Sequence, residues 1–322
     1  MKTPAWWQTR SLTAQILLPI SAMWQFCAWL RPRLATPVKL SVPVICVGNV
    51  VAGGGGKTPV ALALGEATKA LGINAYFISR GYGGSIRLPT RVDIARHTAS
   101  EVGDEPLLLA HVLPTIIARD RVQAAKLAVE QGATLIIMDD GLQYPHMIKD
   151  FSILVMKGEN PIGNGLLMPA GPLREPLASA LKRSDVIIHI DGNNVPLPQV
   201  ILQSRKSVFK SKSQTVVPES INKAIAFAGI AHPVHFHQSL IRAGVEVLEF
   251  YDYPDHHPYT QHEINRLVEH AKALSVPLIT TEKDLVRLRS LDLGNHKVHA
   301  AKQQLKFENG DVFFDILKQF KS

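Results

Sequence analysis

Two cysteines among 322 residues, Cys27 and Cys46, leave no framework for structural disulfides. The chain therefore reads as one that folds with its thiols reduced, on the cytoplasmic side. Acid is absent from one whole end. No Asp or Glu precedes Glu66, whereas Lys2, Arg10, Arg31, Arg33, Lys39 and Lys57 all do. Also missing are any recognisable nucleic-acid-binding module and any interleaving of aromatic with basic residues. The excess of 35 basic over 27 acidic side chains is thus not read as a nucleic-acid surface. A basic end then suits an anionic membrane surface or a phosphorylated substrate. Neither an internal repeat nor a low-complexity segment interrupts the chain.

What is present begins with an uncharged run of twenty residues between Arg10 and Arg31, SLTAQILLPISAMWQFCAWL. All four tryptophans (Trp6, Trp7, Trp24, Trp29) fall within the first 29 positions. Tryptophan favours the headgroup level of a bilayer and flanking arginines favour anionic lipid. No A-x-A-like cleavage site follows before Arg31, which argues against a signal peptide. Ser11, Gln15, Ser21 and Gln25 recur at helical spacing as a polar stripe, interrupted by Leu18 and Trp29. An interfacial helix, kinked near Pro19, fits that stripe better than a span or an ordinary buried helix, although the length alone allows all three.

From residue 42 apolar strands alternate with amphipathic helices, the pattern of a parallel sheet with crossover helices. Expected strands are Val42–Val47, Asn74–Ser79, Thr115–Ala118, Thr134–Met138, Ser152–Val155 and Val186–Ile190, with helices Thr58–Leu71 and Arg119–Gln131 between them. Gly192-Asn193-Asn194 is turn-rich, and QVILQSRKSVFKSKSQTVV then reads as an extended, two-stranded connector. A second series follows: strand Ala224–Ala228, helix His235–Ala243, strand Glu246–Phe250, helix Gln261–Leu274, strand Pro277–Thr280 and a closing helix near 311–320. Two α/β lobes about a hinge leave a cleft that can close over a substrate.

The strongest motif is GNVVAGGGGKTPV, which follows the apolar strand VPVICV and opens a helix. That is the context a phosphate-binding P-loop requires. Glycines let backbone N–H groups approach phosphate oxygens, and the helix N-terminus adds a favourable dipole. The nucleotide-binding set is Gly53, Gly54, Gly55, Gly56, Lys57, Thr58 and Pro59, with Lys57 on the β- and γ-phosphates and the Thr58 hydroxyl on Mg²⁺. The loop is a variant, because Val51 stands where the strict pattern has glycine. A Walker-type acidic partner is supplied by Asp139 and Asp140 at the end of ATLIIMDDG. A carboxylate ending a buried strand needs a cation or hydrogen bonds. Mg²⁺ beside Thr58 serves one aspartate, and the second is open between a turn role and catalysis.

Other charged clusters carry two readings each. Asp104 and Glu105 in Gly103-Asp104-Glu105-Pro106 are either a helix start or part of a site. Arg174 and Glu175 form an ion pair in a proline-rich turn. Asp255-His256-His257 with His262, and His232, His235 and His237, match no common zinc spacing and lack thiols. In Thr281-Glu282-Lys283-Asp284 the lysine and aspartate adjoin, so a guanine-reading motif fails and ATP is favoured over GTP.

Taken together, GNVVAGGGGKTPV, SRGYGG (79–84), VGDEP (102–106), MDDGLQ (138–143), LLMPAGPLREP (166–176), GIAHPVHF (229–236), YPDHH (253–257) and TTEKD (280–284) resemble the tetraacyldisaccharide 4′-kinase family of Gram-negative bacteria, in order along nearly the whole chain. The departures are Gly55, where Thr or Ser is usual, Tyr144, where His is common, and His232 and His235 at variable positions. The resemblance implies an α/β, P-loop-type, mostly parallel sheet with helices on both faces. It also implies a smaller α/β domain on a β-stranded linker and an N-terminal membrane-associating helix. The corresponding division is 1–35 for the helix, 36–195 for the nucleotide domain, 196–220 for the linker and 221–322 for the second domain. The implied reaction is ATP- and Mg²⁺-dependent phosphorylation of the 4′-hydroxyl of a tetraacylated glucosamine disaccharide 1-phosphate, giving lipid IV-A, at the cytoplasmic face of the bacterial inner membrane. Carried onto this chain, Asp104 is the general base with His256 as its partner. Lys57 and Arg174 approach the transferring phosphate, and Thr58, Asp139, Asp140 and Glu175 surround the metal. The rival from a different class is a membrane-associated P-loop nucleotide hydrolase acting as a switch or metallochaperone. A soluble small-metabolite kinase is disfavoured by the tryptophan-rich end.

Overall fold

The computed structural model describes residues 4–192 and 195–321. Asn193 and Asn194 of the expected turn lie outside the described residues. Twelve strands form one continuous sheet. They are β1 (Val44–Gly48), β2 (Ala75–Ser79), β3 (Thr90–Arg91), β4 (Thr115–Ile117), β5 (Leu135–Asp139), β6 (Phe151–Lys157), β7 (Val186–Ile190), β8 (Ser207–Val216), β9 (Lys223–Ala228), β10 (Glu246–Asp252), β11 (Leu278–Thr281) and β12 (Val298–Phe307). Their order is β10-β9-β11-β12-β8-β7-β6-β1-β5-β2-β4-β3. Pairing is parallel except for β3 with β4 and β8 with β12, as chains alternating strand and helix demand.

The helices are α1 (Leu12–Ile16), α2 (Leu18–Arg33), α3 (Lys57–Ala70), α4 (Ala99–Val102), α5 (Asp104–Ala110), α6 (Arg121–Glu130), α7 (Leu177–Arg183), α8 (Gln199–Gln203), α9 (Pro233–Arg242), α10 (Gln261–Ala273), α11 (Glu282–Arg287) and α12 (Gly310–Lys318). The central strands β1, β2, β5 and β7 are buried at every residue, because helices cover both faces of a parallel sheet. α3 and α5 sit over one face with Leu64, Leu109, Phe77 and Ile137. α6 covers the other with Val122, Ala124, Ala125 and Ala128.

Residues 196–220, expected to supply both strands of the connector, supply one, β8, and its antiparallel partner β12 comes from residues 298–307. Residues 207–211 of β8 pair parallel with β7, and residues 211–216 pair antiparallel with β12. β12 in turn pairs parallel with β11 through residues 298–301. Each linker strand is therefore shared between a lobe and the linker. Two expectations for the segments around these strands differ from the structure. QVILQ, expected extended, forms the short helix α8, since a five-residue apolar run does not by itself choose between helix and strand. The closing helix, grouped above with the second domain, packs Phe313 and Leu317 into the core around α3. β12 carries the chain back across the linker, so the helix after it returns to the first lobe.

The N-terminal segment breaks at Leu17, between α1 and α2, with Pro19 in the first turn of α2 rather than at a mid-helix kink. Leu12, Ile16, Ile20, Met23, Phe26 and Trp29 are exposed. Ser21, expected on a polar stripe facing water, is instead buried against the loop 166–176. Among the described residues no helix is long and apolar enough to cross a membrane.

Candidate functional site

β1 ends in the glycine-rich loop and α3 begins at Lys57, so the loop lies at the carboxyl edge of the sheet, where parallel α/β folds bind ligands. Gly56 caps α3 with φ +76°, a left-handed conformation that favours glycine. Pro59 is the third residue of α3, where a missing N–H leaves no intrahelical bond unmade. A Cβ on Gly55 would stand 1.8 Å from Nδ2 of Asn49. In this conformation the buried Asn49 side chain occupies the space a side chain at 55 would need.

Lys57 Nζ donates to Asn49 Oδ1 at 3.4 Å and lies 3.7 Å from Asp140 Oδ1. Arg174 Nη1 donates to both oxygens of the same carboxylate, at 2.9 and 3.1 Å. Arg121 donates to the Asp140 carbonyl at 2.8 Å. Burial pushes the Asp140 carboxyl up, but Lys57, Arg174 and Arg121 outweigh it and hold the group below the ordinary carboxylate value.

Asp139 contrasts with its neighbour. It is 2% exposed, and its Oδ1 has no hydrogen-bond partner among the described residues. Burial first, then the negative charge of Glu105, push it up to about 7 against the pull of Lys57. The Asn49 Nδ2 donor is likewise buried without a partner. Glu175 is turned elsewhere, accepting from Gln143 Nε2 at 2.9 Å and pairing with Arg183. Gln143 also donates to the Asn49 carbonyl at 2.7 Å, which ties MDDGLQ to the phosphate loop. Among the described residues no three His, Cys, Asp or Glu side chains converge as a metal cage.

A second cluster lies where the lobes meet. Thr98 and Glu101 form a capping box over α4. Gly103 at φ +90° then turns the chain into α5, whose first residue is Asp104. Asp104 is 4% exposed. His256, itself at φ +58°, brings Nδ1 to 3.2 Å from Asp104 Oδ2. Arg287 donates to the same oxygen, to Asp284 Oδ1 at 2.8 Å and to the Gly229 carbonyl at 2.8 Å. Burial alone pushes Asp104 up. The hydrogen bond from His256 and the charges of Lys283 and Arg287 more than offset it, leaving the carboxyl far below its usual range. The bond to Asp104 raises His256 against the opposite effect of burial.

The TTEKD segment supports this cluster. Asp284 is fully buried and accepts from Thr281 Oγ1, Tyr259 Oη, the Gly229 amide and Arg287. Lys283 reaches across to Glu105 at 2.6 Å. Of the histidines, His257 pairs with Glu263 and stacks on Tyr253, His237 stacks on Phe250, and His232 stacks on His235. The sequence alone assigns no role to Arg287, Gln143 or Asn49, and it marks Lys283 only as part of a charged cluster. Lys283 and Arg287 are four apart, with Asp284 between them, so the helical spacing that puts both cations toward Asp104 and Glu105 was available.

The chain matches the family model for tetraacyldisaccharide-1-P 4′-kinase over residues 13–321. The tetraacyldisaccharide 4′-kinase of Rhodospirillum centenum is 42% identical, covering 98% of this chain and 96% of its own. That of Parvibaculum lavamentivorans is 44% identical, covering 89% and 87%. Among solved structures, the LpxK of Aquifex aeolicus in complex with ATP superposes with a TM-score of 0.78 at 27% identity, over 95% of this chain and 99% of that one.

Proposed function

The chain belongs to the tetraacyldisaccharide-1-P 4′-kinase family, and on that premise we propose how its residues divide the reaction. The protein is an ATP-dependent kinase that transfers the γ-phosphate of ATP to the 4′-hydroxyl of tetraacyldisaccharide 1-phosphate, forming lipid IV-A in lipid A biosynthesis, with ATP and Mg²⁺ as cofactors.

The observation that carries the residue assignment is the unequal satisfaction of the two aspartates. Asp140 is held by Arg174 and Lys57, while Asp139 keeps a buried oxygen without a partner among the described residues. Thr58 and Asp139 fit a hard cation that takes its remaining ligands from phosphate and water. Bound there, Mg²⁺ supplies charge neutralisation for the phosphates and relieves the Asp139 carboxylate. The loop amides of Gly53, Gly54 and Gly56, the unused Asn49 Nδ2 and Lys57 grip the triphosphate, while the Gly55 amide donates to the Gly53 carbonyl at 2.8 Å and closes the loop. Arg174 meets charge on the transferring group, kept in place by Asp140. Glu175 acts through Gln143 on the loop rather than at the phosphate.

Asp104 accepts the proton of the 4′-hydroxyl as the new oxygen–phosphorus bond forms and the bond to the departing ADP breaks. With phosphoryl transfer through a loose transition state, that proton leaves late, so a carboxylate of low basicity suffices as acceptor. His256 and Arg287 orient it. Most of the rate comes from positioning and charge stabilisation.

The acyl chains set the location. Exposing lipid tails to water costs about 0.8 kcal/mol per CH₂, so the enzyme works where its acceptor lies. The exposed apolar side chains of α1 and α2, flanked by Arg10, Arg31 and Arg33, suit the cytoplasmic face of the inner membrane. γ-Labelled ATP, Mg²⁺ and the lipid disaccharide in mixed micelles test the whole reading. Label in the lipid is the expected result, and acceptor-independent release of free phosphate would favour a nucleotide hydrolase.

A further inference from the structure

Three of the four N-terminal tryptophans give their indole N–H to a single loop. Trp6 and Trp7 donate to the Pro169 carbonyl at 3.3 and 3.0 Å, and Trp24 donates to the Arg174 carbonyl at 2.8 Å. Ser21 lies between them. Its hydroxyl donates to the Leu167 carbonyl at 2.9 Å and accepts from the Ala170 amide at 3.1 Å. A purely anchoring tryptophan would leave its N–H for water and headgroups.

The loop so held is joined to the phosphate loop. The Arg174 amide donates to the Val50 carbonyl at 2.7 Å, the Ala52 amide donates to the Pro172 carbonyl at 2.9 Å, and Val51 bridges to Leu173. Arg174 is thus pinned on three sides: by Trp24 through its carbonyl, by Val50 through its amide and by Asp140 through its guanidinium. Lys57 contacts that same Asp140 carboxylate.

We propose that Ser21 and Trp24 are positioning residues for Arg174, so that the lipid-facing helix sets the geometry of the phosphate site as well as bringing the enzyme to its acceptor. This rests on the kinase reading and on the place given there to Arg174. Small displacements at a phosphoryl-transfer site are costly in rate, and α2 supplies bonds that the loop 166–176 does not make for itself.

The test uses the full chain with Trp24→Phe, which deletes the donor but keeps an apolar ring, and with Ser21→Ala. Turnover is measured in mixed micelles and on a short-chain, water-soluble glucosamine disaccharide 1-phosphate. Flotation on phosphatidylglycerol-containing vesicles and Tm are measured in parallel. We expect kcat to fall about three- to tenfold for Trp24→Phe and about tenfold or more for the pair. The defect should persist on the soluble acceptor, with KM for the lipid and flotation unchanged. Wild-type kcat, or a defect that tracks flotation and vanishes on the soluble acceptor, would overturn the proposal. Should the double variant melt early, Trp24→Phe alone decides, because that side chain is 41% exposed. No lipid product from the unaltered enzyme would sink the kinase reading itself.

Discussion

The phosphate loop and the cluster between the lobes are built on opposite plans. The loop is nearly contiguous, residues 48–58 with the ends of two strands, and it keeps unused valences: Asn49 Nδ2 and Asp139 Oδ1 are buried without partners among the described residues. The cluster draws on residues 104, 256, 284 and 287, and Asp284 alone accepts from four groups. Unsatisfied buried polar atoms cost free energy and persist where a ligand will complete them. A saturated ionic network fixes a geometry instead. On the proposed function, one region serves as a receptor for phosphate and cation and the other as a latch that aligns Asp104.

The largest effect that would sharpen this contrast is at Lys57. Lys57→Ala should lower kcat about 10³-fold by removing a charge from the transferring group. Near-normal turnover would end the assignment of the loop. Asp104→Asn should follow, with a loss of about 10²-fold in kcat and little change in ATP affinity. Equal losses in both would make Asp104 a structural cap.

Asp139→Asn separates the two plans most directly. Neutralising a buried carboxyl whose Oδ1 has no partner among the described residues should leave the ligand-free protein as stable or more stable, while Mg²⁺-dependent ATP binding weakens. A destabilised apo-protein, measured by thermal melting, would contradict the unsatisfied-oxygen argument. With Asp139 titrating near 7, Mg²⁺-dependent nucleotide affinity of the unaltered enzyme should rise from pH 6 to pH 8, because the cation takes the deprotonated carboxylate. A flat profile by calorimetry would exclude Asp139 as the metal-facing group.

Arg287→Ala should lower kcat roughly tenfold and also destabilise the protein by about 3–5 kcal/mol, the usual result of stripping one partner from a buried pair. Unchanged melting would show that the latch is not closed in solution. The smallest effect is the pH response of His256. Its pKa is raised on folding, so its contribution is complete below about 6.5 and fades as pH rises through the folded value. Asp104 is lowered, so its contribution is present above about 3.9 and is lost only in stronger acid. Between pH 6 and pH 9 the unaltered protein should thus lose slightly more in Tm than His256→Gln, and equal losses would remove His256 from the latch.

Local patterning made much of this legible. The burial of β1, β2, β5 and β7, the turn at Gly56 and the start of α3 follow from apolar runs and glycines within a few residues of one another. β12 escaped notice because VHAAKQQLKF is poor in β-branched residues and gains its place from pairing with β8 and β11. The aspartate pair is legible as the acidic end of an apolar strand, whereas the roles of Asp104 and His256 follow only from the family resemblance. Arg287 was overlooked because its meaning depends on a partner 183 positions away.

By itself the sequence determined the class of fold, the phosphate loop and the apolar, tryptophan-bearing end, because backbone freedom, helix capping and side-chain periodicity act over a few residues. Only the tertiary structure decided which aspartate is paired and which is left open, that Arg287 binds Asp104, and that Ser21 and Trp24 hold the Arg174 loop. The Arg287 contact forms when the shared strands β8 and β12 join the second lobe to the first, and the others when the loop 166–176 folds between α2 and the end of β5; no local pattern encodes a distance that chain closure sets.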